Sequence, residues 1–141
     1  MKFRYSKWPC RPTEPFPNKH SVLRPIINIS VKFQDRKLRL FALLDSGADW
    51  CLFPASMGEY LCIQVDQGEK IEFTGISALG VAYFHEVTLE IGGWEHNCLV
   101  GFSPDLDKMN VPAVLGQNGF FDRYEVTFNY KKEIIEIKKI A

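Results

Sequence analysis

The sequence lacks several features that would assign it to a class of protein. No stretch approaches the roughly 18 apolar residues that a membrane helix needs. Seventeen basic residues balance seventeen acidic ones, so the chain has no positive excess of the kind that nucleic-acid or membrane-surface binding requires. The four cysteines form no CxxC pair and no zinc-like spacing with the three histidines. We therefore expect no nucleic-acid partner, no membrane partner and no metal.

The first 21 residues contain four prolines and no hydrophobic periodicity. Such a segment is typical of an extended arm, so we divide the chain into a proline-rich arm, residues 1–21, and one domain, residues 22–141. The first eight residues include no apolar segment like that of a secretory signal. We therefore expect a cytoplasmic protein with free thiols.

From residue 25 onward the hydrophobic pattern is that of β-strands. Residues 27–33 alternate between apolar and polar, as in a half-buried strand, and residues 38–44 return as a second strand that ends in an apolar run. Further strands are predicted at residues 70–73, 81–91, 94–100, 111–115, 124–128 and 134–140. A short helix could begin at Pro54 and end near Leu61, and residues 116–123 could hold one helical turn. The sequence predicts a mainly β domain with one or two short helices.

One short motif points to chemistry. The apolar strand ends abruptly at Asp45-Ser46-Gly47, so it would carry a carboxylate into a dry site, and Gly47 lets the backbone turn sharply. About seventy residues later, Val114-Leu115-Gly116 offers an apolar-apolar-glycine segment. Between the two, residues 75–80 form the glycine-bounded tip of a long hairpin. A plain turn between strands is the ordinary alternative, but the surrounding pattern favours an active site.

This order of parts resembles the retroviral-type, or retropepsin-like, aspartic proteases, and more closely their single-lobed prokaryotic branch. The resemblance covers most of residues 24–129. The matching segments are residues 24–29, 42–49, 70–84, 112–118 and 120–128. It implies a single-lobed acid-protease fold, a closed β-barrel that is active as a homodimer. It also implies an aspartic endopeptidase, a hydrolase that acts on peptides or proteins without a cofactor.

The resemblance further implies a role for each residue of these motifs. Asp45 matches the catalytic aspartate, and Ser46 matches the hydroxyl that links the two active-site loops. Val114, Leu115 and Gly116 match the segment that supports the aspartate loop, to which Gly47 also belongs. The positions that match substrate-binding residues are Gly47, Ala48, Asp49, Trp50, Gly75, Ile76, Ser77, Ala78, Leu79 and Gly80, of which residues 75–80 are the tip of the flap.

The implied chemistry requires a second carboxylate. Aspartic proteases use two carboxylates that share one proton, one activating water and the other polarising the scissile carbonyl. This chain has one such triplet and is too short for two lobes, because neither Asp66-Gln67-Gly68 nor Asp107-Lys108-Met109 fits the pattern. We therefore expect a homodimer in which Asp45 meets its symmetry mate.

The sequence departs from the family pattern at two positions, and it also allows other interpretations of the function. Gln117 stands where viral retropepsins usually have an arginine that pairs with the aspartate equivalent to Asp49. Trp50 replaces a commonly polar residue and could narrow a substrate pocket. The same fold could also serve as a catalytically weak or inactive peptide-binding module, or as an enzyme for a single processing site. Cys51 lies near the triplet but has no base beside it in sequence, so we do not expect a cysteine nucleophile.

Overall fold

In a computed structural model, residues 1–74 and 79–140 are described, and their secondary structure is mainly β with two short α-helices. The strands are β1 (Lys2–Arg4), β2 (Ser6–Pro9), β3 (Ser21–Arg24), β4 (Ile26–Phe33), β5 (Arg36–Leu44), β6 (Leu52–Pro54), β7 (Glu69–Thr74), β8 (Leu79–Ile91), β9 (Trp94–Ser103), β10 (Ala113–Leu115), β11 (Tyr124–Asn129) and β12 (Ile134–Lys139). The helices are α1 (Ala55–Tyr60) and α2 (Pro104–Met109), with a 3₁₀ turn at Val65–Gln67. The predicted fold class is confirmed.

The main sheet closes into a barrel. Its strand order is β4-β5-β10-β6-β9-β8-β7, and β4 also pairs with β8, where Val31 lies opposite Leu89. Along β8, Val87, Leu89 and Ile91 are buried and alternate with more exposed residues, because successive side chains of a strand point to opposite faces. Their inward faces form one hydrophobic core with the other barrel strands, and closure leaves few free sheet edges.

Strand β7 is the one member of the main sheet that stands outside the barrel closure, and it pairs with β8 alone among the described strands. The pairing runs from Glu69 opposite Phe84 to Thr74 opposite Leu79. We call β7 together with residues 79–84 of β8 the ribbon. It corresponds to the hairpin that the sequence predicted, and its tip, residues 75–78, lies outside the described residues.

The two ends of the described chain meet in a second sheet with the order β1-β12-β11. The amide of Ile137 donates a hydrogen bond to the carbonyl of Met1 at 2.8 Å. Strand β2 pairs with β3 in a separate two-stranded sheet. We predicted the terminal hairpin but no strand before residue 25, because the prolines there hide any periodicity. The boundary of the arm at residue 21 stays a prediction, although residues 2–9 supply two strands that pair with the rest of the chain.

The helices differ in part from the sequence prediction. Helix α1 lies where it was expected after Pro54. The second helix, α2, was not expected, and the segment 116–123 forms a series of turns. One of these has the hydrogen bond of a single helical turn, from the amide of Tyr124 to the carbonyl of Phe120 at 3.1 Å. None of the helices among the described residues is long and apolar enough to cross a membrane.

Candidate active site

Strand β5 delivers Asp45 to the rim of the barrel. Ala42 and Leu44 are buried within β5, and the strand runs parallel to β10 with Leu44 opposite Leu115. The amide of Asp45 donates a 3.0 Å hydrogen bond to the carbonyl of Leu115, and the amide of Leu44 donates one of 2.9 Å to the carbonyl of Pro25. The backbone at Leu44 and Asp45 is therefore held between β10 and the residue that precedes β4.

The triplet forms a tight turn that orients the Asp45 carboxylate. The amide of Gly47 donates to Asp45 Oδ1 at 2.9 Å, and the amide of Ala48 donates to the Asp45 carbonyl at 3.1 Å. Asp45, Ser46 and Gly47 are nonetheless exposed in the single chain. A carboxylate that is held by its own loop and still faces outward is available to a substrate or to a second molecule.

Four hydrogen bonds from the segment that follows β10 hold the loop that carries the triplet. The amide of Gln117 donates to the carbonyl of Ala48 at 2.8 Å, and the amide of Asn118 donates to that of Asp49 at 3.0 Å. Their side chains add two more bonds, from Gln117 Nε2 to the Ser46 carbonyl and from Asn118 Nδ2 to the Asp49 carbonyl, both 2.9 Å. Gln117 therefore contacts the aspartate loop through neutral hydrogen bonds. The sequence indicated only a lost ion pair at this position.

Cys51 lies beneath the same loop and acts as a buried thiol. Its Sγ accepts a hydrogen bond from the amide of Gly116 and donates one to the carbonyl of Asn118, each 3.4 Å. Burial raises the pKa of the Cys51 thiol to about 11. Because the thiolate is the nucleophilic form, this environment makes Cys51 a poor nucleophile.

A cavity of about 470 Å³ opens beside Asp45. Its lining comes from the aspartate loop, the ribbon, α2 and the segment before β10: Asp45, Gly47, Ala48, Leu52, Phe73, Thr74, Leu79, Gly80, Asp105, Leu106, Lys108, Met109, Val111 and Val114. Most of these side chains are apolar. The structure thus brings six of the residues predicted for the site into one cavity: Asp45, Gly47, Ala48, Leu79, Gly80 and Val114.

Other predicted site residues lie outside this cavity. Ser46 and Asp49 are exposed on the aspartate loop, and residues 75–78 fall in the part of the hairpin that the structure does not describe. Trp50 packs edge-on against Phe84, with the ring centroids 6.0 Å apart, and lines a second cavity of about 500 Å³. It is not among the residues that line the cavity beside Asp45, and its predicted role in a substrate pocket stays a prediction.

Helix α2 is the part of the site that sequence reasoning missed. It contributes Leu106, Lys108 and Met109 to the cavity, and its carboxylate at Asp105 lies there too. A signal was present, because Ser103 followed by Pro104 is a typical helix start. In the structure the amide of Asp105 donates to Ser103 Oγ at 3.2 Å.

The described residues hold no group of three or more His, Cys, Asp or Glu side chains placed to bind a metal ion. His85 and His96 are each engaged with backbone carbonyls instead. His85 Nε2 lies 2.8 Å from the carbonyl of Val65, and His96 Nε2 lies 2.7 Å from that of Gly119.

Solved structures that are similar to this chain include the following two. One is a retropepsin-like aspartic protease from Rickettsia conorii, with a TM-score of 0.59, 13% sequence identity, and 98% of each chain covered. The other is the EIAV protease complexed with the inhibitor HBY-793, with a TM-score of 0.49 and 21% identity over 67% of this chain and 82% of that one. No family model and no curated protein matches the sequence. The first similarity shows that the chain has the retropepsin-like fold that the sequence predicted.

Proposed function

We propose that this protein is an aspartic endopeptidase in which Asp45 works with Asp45 of the partner subunit in a homodimer. The observation that carries the proposal is the position of Asp45. It stands at the end of a buried strand, its backbone is bonded to β10, and its carboxylate borders a largely apolar cavity. The retropepsin-like fold supports the same reading.

The dimer follows from the chemistry of the reaction. A pair of carboxylates that share one proton can act as base and acid at once. The ionised carboxylate takes a proton from water as the water oxygen attacks the scissile carbonyl carbon, while the protonated one gives its proton to the carbonyl oxygen. Collapse of the resulting diol breaks the C–N bond, and a proton passes to the leaving amine. Asp45 is exposed in the single chain, so it is free to meet a facing copy.

The surroundings of Asp45 indicate how a substrate would bind. The ribbon offers strand backbone against which an extended peptide can pair, which is the common β-augmentation mode. Leu52, Leu106, Val111 and Val114 give the adjoining cavity an apolar lining. We infer that a large apolar side chain next to the scissile bond occupies it, since burial of such a side chain contributes about 1.5–3 kcal/mol. The cytoplasmic location stays a prediction from the sequence.

The first test is cleavage of a diverse peptide library by the wild type and by Asp45→Asn. We expect the substitution to lower the cleavage rate by about a hundred- to ten-thousand-fold. Asp66→Asn is the matched control, because Asp66 also belongs to an Asp-x-Gly sequence but lies in the 3₁₀ turn and does not line the cavity beside Asp45. Equal cleavage by wild type and Asp45→Asn would refute the assignment. Peptide binding without cleavage would favour the non-catalytic module.

Subunit mixing tests the shared site separately. An about tenfold excess of Asp45→Asn protein should capture nearly all wild-type subunits in mixed dimers and lower their activity by about tenfold. An enzyme that acts as a monomer would keep its full activity under the same excess. Intact-mass analysis after storage would reveal the narrow alternative, an enzyme that processes its own N-terminal arm.

A further inference from the structure

Within the ribbon, strand β8 loses its neighbour β9 close to the cavity beside Asp45. Strand β8 pairs with β9 only as far as Tyr83, which lies opposite Phe102. One residue later β9 ends at Ser103 and the chain turns into α2. From Ala82 to Leu79, β8 therefore has β7 as its sole strand partner within the described chain. A backbone amide on the side that β9 has left needs another acceptor, because unpaired and partly buried amides are costly.

Asp105 supplies that acceptor. The amide of Val81 donates a 2.8 Å hydrogen bond to Asp105 Oδ2, and both residues are half-buried. The start of α2 does not depend on this carboxylate, since Ser103 caps the helix through its own side chain. The Asp105 side chain is thus committed to β8, and hydrogen bonds to ionised acceptors are roughly twice as strong as neutral ones.

The two segments that this bond joins also enclose the cavity beside Asp45. The ribbon contributes Leu79 and Gly80 to its lining, and α2 contributes Leu106 and Met109. We propose that Asp105 is a positioning residue that fixes the ribbon at Val81, where β8 no longer pairs with β9. A peptide paired with the ribbon is then held beside the Asp45 carboxylate. This inference rests on the proposed endopeptidase function and names the group that controls how its substrate is held.

A positioning role has a distinct kinetic signature. Without the Asp105 acceptor, the ribbon becomes more mobile around Val81, and this mobility must be lost whenever a peptide binds. This cost applies to the bound substrate and to the transition state alike, so KM rises while kcat changes little. Loss of one hydrogen bond to a charged group corresponds to an increase in KM of about tenfold. A substitution that merely unfolded part of the sample would lower the apparent kcat and leave KM unchanged.

The test compares Asp105→Ala and Asp105→Asn with the control Asp107→Ala. Asp107 lies on the same short helix and carries the same charge, but it binds the amide of Ser56 at 3.1 Å and the Ser56 hydroxyl, which ties α2 to α1. We expect Asp105→Ala to raise KM for an apolar peptide by about tenfold. Asp105→Asn should restore part of the affinity, because its neutral amide oxygen can still accept from Val81. Asp107→Ala should leave KM unchanged.

Hydrogen exchange at the Val81 amide provides a readout that does not need activity. It should accelerate in Asp105→Ala and not in Asp107→Ala. Equal KM and equal Val81 exchange in the two alanine variants would overturn the proposal, as would a loss of kcat in Asp105→Ala at unchanged KM, or a failure of Asp105→Asn to restore affinity. If the wild type cleaves no peptide, the proposed function fails, and exchange at Val81 then decides by itself whether Asp105 holds the ribbon.

Discussion

Replacement of Gly116 by alanine is the sharpest stability test of the site. Gly116 is buried directly after β10. A Cβ atom at this position would lie 2.2 Å from the carbonyl oxygen of Trp50 and 2.6 Å from that of Ala48. Both oxygens belong to the backbone, so no side chain can rotate away to relieve the contact. The aspartate loop and the segment after β10 must move apart.

The expected cost follows from the bonds that this movement breaks. The amide of Gln117 bonded to Ala48 and the amide of Asn118 bonded to Asp49 hold the two segments together. Each such bond contributes about 1 kcal/mol net, and forcing an extra methyl group into a packed site costs about 1–3 kcal/mol. We expect Gly116→Ala to lower the free energy of unfolding by about 3–5 kcal/mol, a large part of the roughly 5–15 kcal/mol typical of a domain.

Urea unfolding at one fixed protein concentration measures this change, because the stability of the proposed dimer would depend on concentration. Gly93→Ala is the matched control. A Cβ at Gly93 meets nothing within 4 Å, although its φ of +90° strains an alanine, so this variant should lose only about 1–2 kcal/mol. If Gly116→Ala is no more destabilised than Gly93→Ala, the hydrogen bonds between the two segments do not contribute to the free energy of unfolding as we describe.

Two further predictions concern the cavity and pH. Val114→Phe fills part of the cavity beside Asp45, so kcat/KM for peptides with a large apolar residue at the scissile bond should fall by about 10–200-fold relative to alanine peptides; an unchanged preference in a library screen would contradict this. Burial lowers the pKa of His96 in the folded state, against the opposing bond to the Gly119 carbonyl. At about pH 6 the unfolded chain therefore binds more protons at His96 than the folded chain does. The contribution of His96 to the free energy of unfolding is present in full above about pH 6.5 and is lost as the pH falls below it. Urea titrations of the wild type and of His96→Gln would measure this loss.

The exposed His20 provides the control for the pH experiment. His20→Gln should keep the pH dependence of the wild type between pH 7.5 and 5, whereas His96→Gln should lose part of it. If both variants keep the same slope, the desolvation of His96 does not couple to folding.

The alternation of apolar and polar residues predicted many of the strands of both larger sheets in advance. Strands β4, β5, β8, β11 and β12 lie close to their predicted positions, because each has one face in the core and its period of two is visible in the sequence. The Asp45-Ser46-Gly47 triplet stood out for a similar local reason, since an apolar strand that ends abruptly in a carboxylate and a glycine is unusual. The resemblance to the retropepsin-like proteases then led to the prediction that β10 supports the triplet.

Only the tertiary structure decided which distant groups meet. Strand β1 has three residues and acquires its structure by pairing with β12, which lies at the other end of the chain, so no local pattern could reveal it. The side chains of Gln117 and Asn118 bond to carbonyls about seventy residues away, and the Asp105 carboxylate replaces a strand that has just ended. Such contacts depend on backbone groups left open by the fold. The sequence records the residue types that can fill them, but their position is set by the closure of the barrel.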